Sequence, residues 1–286
     1  MSTPVRSLLR AGGQRLAEAG VESADHDAAA LLAHVLGVPR ARLVLAPAPS
    51  ASEVARFEEL LDRRARRIPL QHLTGTTGFR HVELAVGPGV FVPRPETELL
   101  AGTAVDAARE VAARTGRRPV VVDLCTGSGA VALAVHDEVP EARVHAVELD
   151  PAAYSWAERN LRGTPVDLRL GDMADAFPDL DGDVDVVTCN PPYIPLDAWE
   201  SVAVEARDHD PALALWSGQD GLDALRVLER VAARLLRPGG LVAAEHADVQ
   251  GESAPAVFAA AGSWSDVRDH RDLAGRPRCT TARLAR

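Results

Sequence analysis

From residue 119 onward, short apolar segments alternate with helical ones, and this alternation constrains the fold more than any other feature. Residues 119–124 are predicted to form a buried strand, and a helix through 132–135 follows. Further strand-like segments occupy 142–147, 168–170 and 186–189. Strands that alternate with helices are typical of βαβ units, so the pattern predicts a mainly parallel sheet in an α/β fold.

The residues that follow these four strands are the candidate site residues. In an open parallel sheet the carboxyl ends of the strands line one edge, and ligands bind there. The segments at these positions are Cys125-Thr126-Gly127-Ser128-Gly129, Glu148, Asp172-Met173 and Asn190-Pro191-Pro192-Tyr193.

The first two segments suit a nucleoside. Gly127 and Gly129 allow a tight turn and a close approach of backbone to ligand. Their spacing matches neither the dinucleotide-binding G-x-G-x-x-G pattern nor a P-loop. Glu148 lies about 20 residues beyond the turn, where a carboxylate can accept both hydroxyls of a ribose. Asp150, before Pro151, is predicted instead to cap the next helix.

Asp172 and Met173 follow the third strand. The carboxylate of Asp172 can accept a hydrogen bond from an adenine amine, and Met173 can pack on the base. A helix cap is the alternative explanation for Asp172.

The segment from Asn190 to Tyr193 suits a planar NH2 group. Pro191 and Pro192 have no N–H for a sheet ladder, so the strand is predicted to end there. The amide of Asn190 and the carbonyl of Pro191 can each accept one N–H, while Tyr193 covers the flat face of the target. A plain surface turn is the alternative. Together, the four strand ends predict S-adenosylmethionine bound beside an amine acceptor, with Asn190 next to both.

Composition excludes several functions. The chain has 286 residues, is 47% hydrophobic and contains no apolar run near the ~20 residues that span a bilayer. No signal-peptide pattern is visible, so we expect a cytoplasmic protein. Its three cysteines and nine histidines lack metal-ligand or disulfide spacing, so we expect no metal. It has no lysine, which excludes Schiff-base chemistry. Residues 86–286 carry a formal charge of −12, which argues against a nucleic-acid substrate.

The chain divides into three predicted parts. Residues 1–74 contain helical patterns only, 75–93 form a β-hairpin linker, and 94–286 form the α/β domain. In the hairpin, residues 79–86 are the first strand, Gly87-Pro88-Gly89 the turn and residues 90–92 the second strand.

Three further segments are interpreted separately. Arg63–Arg67 is predicted to be a solvated helix C-terminus rather than a contact for RNA or an acidic partner. Residues 205–215 are predicted to cover the target pocket as a lid. Residues 91–98 have the proline and glutamates of an ordinary helix start.

Several motifs resemble a known family over nearly the whole chain. They are Leu31–Gly37, Gln71-His72-Leu73-Thr74-Gly75, Phe91-Val92-Pro93-Arg94-Pro95-Glu96-Thr97-Glu98, Asn190–Pro195, Asp220-Gly221-Leu222-Asp223, Leu236–Gly240 and Asp272–Arg276. The chain resembles the class I S-adenosylmethionine-dependent methyltransferases and, more narrowly, the protein-(glutamine-N5) methyltransferases of class 1 peptide chain release factors.

The resemblance implies a Rossmann-like, mostly parallel seven-stranded sheet with a small N-terminal helical bundle. It also implies methyl transfer to the glutamine of the release factors' Gly-Gly-Gln motif. In that family the helical domain docks the release factor and Phe91–Glu98 borders the pocket, so Phe91 is a candidate substrate contact. The sequence departs from the family at Cys125, where glycine is usual, and at Glu245-His246-Ala247-Asp248.

Three alternatives remain open. The first is methylation of adenine N6 or another amine in nucleic acid, which shares the Asn-Pro-Pro-Tyr motif. The second is glutamine methylation of a ribosomal protein. The third is a non-catalytic adaptor that binds the cofactor and a release factor.

Overall fold

The computed structural model describes residues 4–285 of the chain, and for Ser201 its backbone only. The chain divides into two compact units. One extends to Thr76 and also includes Ala203–His209; the other comprises Thr77–Val202 and the chain from Asp210 onward. No described helix combines the length and the apolar character that crossing a membrane would require.

The first unit is entirely helical over its described residues, up to the start of the hairpin. Its helices are α1 (Val5–Glu18), α2 (Ala24–Leu36), a 3-10 helix (Arg40–Leu45), α3 (Ala51–Ala65), α4 (Leu70–Thr74) and α8 (Val204–His209). Buried leucines, with Phe57, form its core. Capping residues mark the helix ends: Ser50 and Glu53 form a capping box at the start of α3, and Gly37 ends α2 in the left-handed conformation.

The arginine run at the end of α3 is not fully solvated, so that prediction is wrong for two of its members. Arg64 is 6% exposed, and its Nε donates to Asp27 Oδ2 at 2.7 Å. Both Arg64 and Arg67 donate to the carboxylate of Glu205 at 2.7–3.0 Å. A run of charged residues can indicate the helix that contains it, but it cannot indicate an ion-pair partner such as Glu205, which lies about 140 residues away.

Glu205 belongs to α8, part of the segment that we predicted as a lid. The structure groups Ala203–His209 with the helical unit instead. The prediction of a lid over the target pocket rested on chain order alone, because the segment follows Asn190-Pro191-Pro192-Tyr193. The ion pairs with the end of α3 explain why α8 packs with the helices.

The second unit contains a hairpin and a seven-stranded sheet. The hairpin strands are β1 (Thr76–Phe79) and β2 (Val82–Ala85), and the sheet has the order β5-β4-β3-β6-β7-β9-β8. The sheet strands are β3 (Val120–Leu124), β4 (Arg143–Glu148), β5 (Asp167–Leu170), β6 (Val184–Cys189), β7 (Leu236–Glu245), β8 (Trp264–Arg271) and β9 (Pro277–Leu284). All pairs are parallel except those made by β9, which confirms the predicted fold class.

Helices cover both faces of the sheet, as the continuous apolar strands require. They are α5 (Thr97–Thr115), α6 (Ala130–Glu138), α7 (Pro151–Asn160), α9 (Asp223–Leu235) and α10 (Ser253–Ala261). Val121 packs into a core with α5, α6 and α7. Its neighbours Val120 and Val122 pack into a second core with α9 and α10. Successive side chains of β3 thus pack into opposite cores, and this packing fixes the register in which β3 pairs with its neighbours.

The hairpin turns earlier in the chain than predicted. Its turn is at Arg80-His81, and Arg80 has a φ of +51°. Residues outside the hairpin stabilise this conformation. The Arg80 N–H donates to Glu98 Oε1 at 3.0 Å, and the Arg80 guanidinium pairs with Glu138. The Gly87–Gly89 segment does turn, but residues 90–92 do not form a second strand. Local turn composition therefore placed the hairpin wrongly.

Candidate active site

The glycine turn after β3 presents bare backbone at the carboxyl edge of the sheet. Gly127 has a φ of +58°, and no atom lies within 4 Å of the position where a Cβ would be. Its N–H donates to Glu148 Oε2 at 2.7 Å, and the Thr126 N–H donates to the carbonyl of Val147 at 3.0 Å. The turn is thus fixed to the end of β4 while its outer side stays open to a ligand.

Glu148 ends β4 and is almost fully buried. Oε1 accepts the Asp150 N–H at 2.9 Å while Oε2 accepts that of Gly127. Burial raises the pKa of Glu148, and these backbone donors oppose the rise. A carboxylate has about four acceptor positions, and the N–H groups of Gly127, Asp150 and Leu149 take up to three of them, so acceptor capacity remains for a ribose hydroxyl. This geometry fits the predicted ribose contact.

Met173, which follows Asp172, contacts the first residue of the glycine turn, Cys125, through its sulfur. Cys125 Sγ is 3.7 Å from Met173 Sδ. Asp172 Oδ1 accepts the Ala174 N–H at 2.9 Å, which confirms that it caps a short 3-10 helix. Asp172 Oδ2 is not used by this cap and could still accept from an adenine amine, so the adenine contact stays a prediction. Asp150 caps α7 as predicted, through its bond from the Ala152 N–H.

Two exposed leucines beside these residues were missed by the sequence reasoning. Leu149 is 52% exposed and Leu170 is 53% exposed. They follow or end strands whose carboxyl ends carry Glu148 and Asp172, so they offer apolar surface to the flat face of a base. Leu170 ends the strand-like segment 168–170 and Leu149 follows the one at 142–147, but nothing in the sequence marked either leucine as a site residue.

Cys125, where the family usually has glycine, adopts a φ of +57°. Glycine has this conformation at little cost, whereas a side chain there costs about 1–2 kcal/mol. The thiol at this position lies against Met173, with its Sγ 3.7 Å from Met173 Sδ. Ser128 is buried beside this turn, and Gly129 begins α6 with a φ of +82°.

Asp123 joins two strand ends and was also missed. It is buried at the end of β3, where one oxygen accepts the Thr126 hydroxyl at 2.5 Å and the other accepts the Thr188 hydroxyl at 2.8 Å. Burial raises its pKa to about 6 against these two bonds. Because Thr188 lies on β6, Asp123 fixes the glycine turn relative to the strand that carries Asn190.

Asn190 begins the loop after β6, and its side chain contacts α5. Its Nδ2 donates to Thr97 Oγ1 at 3.4 Å. In the sheet register, Cys189 lies beside Leu124, so Asn190 emerges next to the glycine turn. The structure therefore brings the amine-binding candidate and the cofactor candidates to one edge of the sheet.

Tyr193 reaches a buried acid. Its hydroxyl donates to Glu245 Oε1 at 3.2 Å, and Gln250 Nε2 donates to the Tyr193 carbonyl at 3.0 Å. Burial, followed by the nearby charge of Glu245, raises the pKa of Tyr193, so its ring stays neutral. Pro191 is buried and Pro192 partly buried between them. The loop is thus a fixed structure, which a plain surface turn would not be.

Phe91 lies in a second cluster, formed around Arg94. The Arg94 guanidinium lies over the Phe91 ring at 4.9 Å, and it donates to Asp210 Oδ2 at 2.7 Å. Burial raises the pKa of Asp210 to about 6, against the opposing charge of Arg94. This ion pair fixes the Phe91–Arg94 segment within the α/β unit.

The described part of the chain contains no group of three or more histidines, cysteines or acids arranged to hold a metal ion. Cys189 and Cys279 are free and buried, and Cys125 is free and partly buried.

Comparison with known proteins shows which proteins this chain is similar to. A family model described as the PrmC N-terminal domain matches residues 7–75, and one described as a methyltransferase domain matches 121–209. The chain is 58% identical to the release factor glutamine methyltransferase of Streptomyces coelicolor over 95% of both chains. It is 47% identical to that of Mycolicibacterium smegmatis over 99% of both.

One similar protein has a different name. The 4-amino-L-phenylalanine/4-methylamino-L-phenylalanine methyltransferase of Streptomyces pristinaespiralis is 41% identical, over 97% of this chain and 92% of that one. Among solved structures, the hMettl16 catalytic domain in complex with a 3'UTR hairpin aligns with a TM-score of 0.51. That match is 13% identical and covers 71% of this chain and 75% of that one, so it bears on the fold alone.

Proposed function

This chain belongs to the release factor glutamine methyltransferase family, and we propose that it methylates the side-chain amide of the glutamine in the Gly-Gly-Gln motif of class 1 release factors. It is an S-adenosylmethionine-dependent methyltransferase. The observation that carries the proposed target is the fixed Asn190–Tyr193 loop beside the glycine turn.

The cofactor residues follow from the strand ends. Glu148 would hold the ribose hydroxyls, the Cys125–Gly129 turn would lie beside the amino-acid part, and Asp172 with Met173 would contact the adenine. Bound there, S-adenosylmethionine supplies an electrophilic methyl group on a positively charged sulfur. The open space at Gly127 and the spare acceptor capacity of Glu148 support this assignment.

The residues of this chain act on the amide nitrogen mainly by positioning it. Asn190 Oδ1 and the Pro191 carbonyl accept its two hydrogens, and Tyr193 and Phe91 exclude water from its face. An amide nitrogen is a poor nucleophile because its lone pair is delocalised. Two acceptors that fit it better as it pyramidalises and gains positive charge stabilise the transition state more than the ground state. The proton can leave after transfer, when the nitrogen has become acidic.

The helical unit is proposed to dock the release factor. Its support is the match of residues 7–75 to the PrmC N-terminal domain. Since release factors work in translation, we place the enzyme in the cytoplasm. The formal charge of −12 over residues 86–286 argues against nucleic acid as the substrate.

A second candidate is N-methylation of an aromatic amine on a free amino acid. It is favoured by the 41% identity to the S. pristinaespiralis enzyme over nearly the full length of both chains. An aniline NH2 is also planar with a delocalised lone pair, so the same two acceptors suit it.

Tritiated S-adenosylmethionine distinguishes the candidates. The enzyme is offered purified release factor, the variant of that factor with alanine for the motif glutamine, 4-amino-L-phenylalanine and RNA. Label on the intact release factor, and on none of the others, supports the proposal. Label on the free amino acid alone supports the second candidate, and label on RNA overturns both.

Asn190→Ala tests the residue at the centre of the proposal. We expect turnover to fall by ~10² or more while the affinity for S-adenosylhomocysteine stays within about tenfold. An equal loss of both would place Asn190 in the cofactor site rather than on the target.

A further inference from the structure

We propose that Thr97 and Glu245 are positioning residues that set the orientation of the Asn190 amide and of the Tyr193 ring. The inference rests on the proposed function, because it assigns the orientation of the groups that hold the target nitrogen. Neither residue followed from the strand-end pattern, which pointed only to the loop itself.

Thr97 lies at the first turn of α5, yet its hydroxyl does not cap the helix. The N-cap residue is Glu96, and its side chain makes no capping bond. Thr97 is 3% exposed, and its Oγ1 instead lies 3.4 Å from Asn190 Nδ2. The ordinary explanation for a threonine at a helix start therefore does not account for this buried hydroxyl.

Glu245 is a buried carboxylate near the same hydroxyl. It is 2% exposed at the end of β7, and a hydrogen bond from Thr97 lowers its pKa against the rise caused by burial. Oε1 accepts the Tyr193 hydroxyl. Oε2 has no hydrogen-bond partner among the described residues. One buried carboxylate thus accepts from Tyr193 at one end of the loop and lies near the hydroxyl that contacts Asn190 at the other.

The order of donors fixes the Asn190 amide. Thr97 Oγ1 accepts from Asn190 Nδ2, so the NH2 group of Asn190 faces Thr97. A threonine hydroxyl has one proton, and Glu245 is the nearby acceptor whose pKa that hydroxyl lowers, so the proton is free to serve the carboxylate while the oxygen accepts from Asn190. Asn190 Oδ1 is consequently left to face the target as an acceptor. If the amide were reversed, Asn190 Oδ1 would face the Thr97 oxygen, so two acceptors would oppose each other. The NH2 group of Asn190, a donor, would then face the NH2 group of the target.

Removal of the Thr97 hydroxyl tests this chain of bonds. In Thr97→Val we expect kcat to fall at least tenfold, while KM for the release factor and the Kd for S-adenosylhomocysteine stay within threefold. Thr97→Ser keeps the hydroxyl and should retain kcat within threefold. The matched control is Thr103→Val on the same helix, whose hydroxyl donates to the Leu99 carbonyl. It should leave all three constants unchanged.

A spectroscopic readout makes the test independent of substrate. The chain has only two asparagines, Asn160 and Asn190, so selective 15N-asparagine labelling gives two side-chain NH2 pairs. Asn160 is the internal reference, because its amide is bonded to the backbone of Ala85 and Ser128. We expect Thr97→Val to shift or broaden the Asn190 pair and leave the Asn160 pair in place, and Thr97→Ser to preserve both. Thr97→Ala, which adds no bulk, is the second variant if Thr97→Val folds poorly.

The outcomes separate this proposal from the proposed function. An unchanged Asn190 pair, or kcat within threefold of wild type in Thr97→Val, overturns the positioning role. Equal losses in Thr97→Val and Thr97→Ser also overturn it, because the hydroxyl would then not be the cause. If wild type labels 4-amino-L-phenylalanine instead of the release factor, the proposed function fails, and the same variants are measured on that amine.

Discussion

Replacement of Glu245 with glutamine should change how the stability of the α/β unit depends on pH. Burial raises the pKa of Glu245 from its ordinary 4.5 to about 7, while Thr97, Arg278 and Tyr193 oppose the rise. Since the folded pKa lies above the unfolded one, folding takes up a proton between the two values. The resulting stabilisation is complete below about pH 4.5 and is lost as the pH rises through 7. Glutamine cannot titrate and should lack this loss.

The size of the effect follows from the pKa shift. A shift from 4.5 to about 7 corresponds to about 3 kcal/mol between the fully protonated and fully ionised limits. Between pH 5 and pH 8 the wild type should therefore lose about 2–3 kcal/mol of unfolding free energy through this one group. The difference in unfolding free energy, Glu245→Gln minus wild type, should rise by the same amount, whatever its value at pH 5.

Tryptophan fluorescence in urea can measure this difference. All four tryptophans, at 156, 199, 216 and 264, belong to the α/β unit, so their emission reports its unfolding without a contribution from the helical unit. Unfolding curves of both proteins are collected at several pH values from 5 to 8. The free energies are compared at each pH, so that groups common to both proteins cancel.

Glu83→Gln is the matched control, because Glu83 is an exposed carboxylate on β2. It makes the same chemical change at an exposed position. A difference between Glu245→Gln and wild type that does not vary with pH would refute the reasoning, since it would mean that Glu245 ionises in the folded protein as it does in the unfolded chain. A difference that falls with pH would show that the ionised form is the stabilised one.

Three further predictions test the site and its support. Gly221→Ala should cut kcat by ~10² with cofactor affinity within tenfold, since a Cβ at φ +76° would lie 2.3 Å from the Tyr193 carbonyl oxygen; kinetics and calorimetry measure both. Arg64→Met should destabilise the helical unit by about 3–5 kcal/mol, because it leaves the buried Asp27 without the arginine that pairs with it. Adding Asp27→Leu should recover most of that free energy, and hydrogen exchange of the α2 and α3 amides measures both changes. Cys125→Gly should preserve activity and change stability by less than about 1 kcal/mol, as relief of the left-handed side chain offsets the added backbone freedom; urea unfolding decides it.

The sequence allowed prediction of whatever depends on local pattern and on strand order. The parallel sheet followed from alternating segments. The shared edge of the candidate site followed because the carboxyl ends of parallel strands must meet. The cap at Asp150 is set by a residue two positions away. Each of these inferences needed only neighbours in the chain.

Contacts between distant segments could not be predicted in this way. Thr97 had an adequate explanation as part of a helix start, and Glu245 was noted only for the residues that follow it. Their contacts with the Asn190–Tyr193 loop join positions far apart in the chain. The Arg64–Glu205 pair is separated by 141 residues. The hairpin was displaced for the same reason, because Glu98 and Glu138 fix Arg80 from outside the turn.

The position of Glu245 nevertheless has a simple cause in the sheet. β6 and β7 are parallel neighbours, and Cys189 lies beside Ala244 in their register. The next residues along the two strands are Asn190 and Glu245, so the register that packs the core also brings the acid to the amine-binding loop. A slip of one residue would turn the Glu245 side chain to the opposite face. The buried residues of β6 and β7 therefore act on the chemistry indirectly, because the apolar packing that fixes their register also fixes where the carboxylate lies.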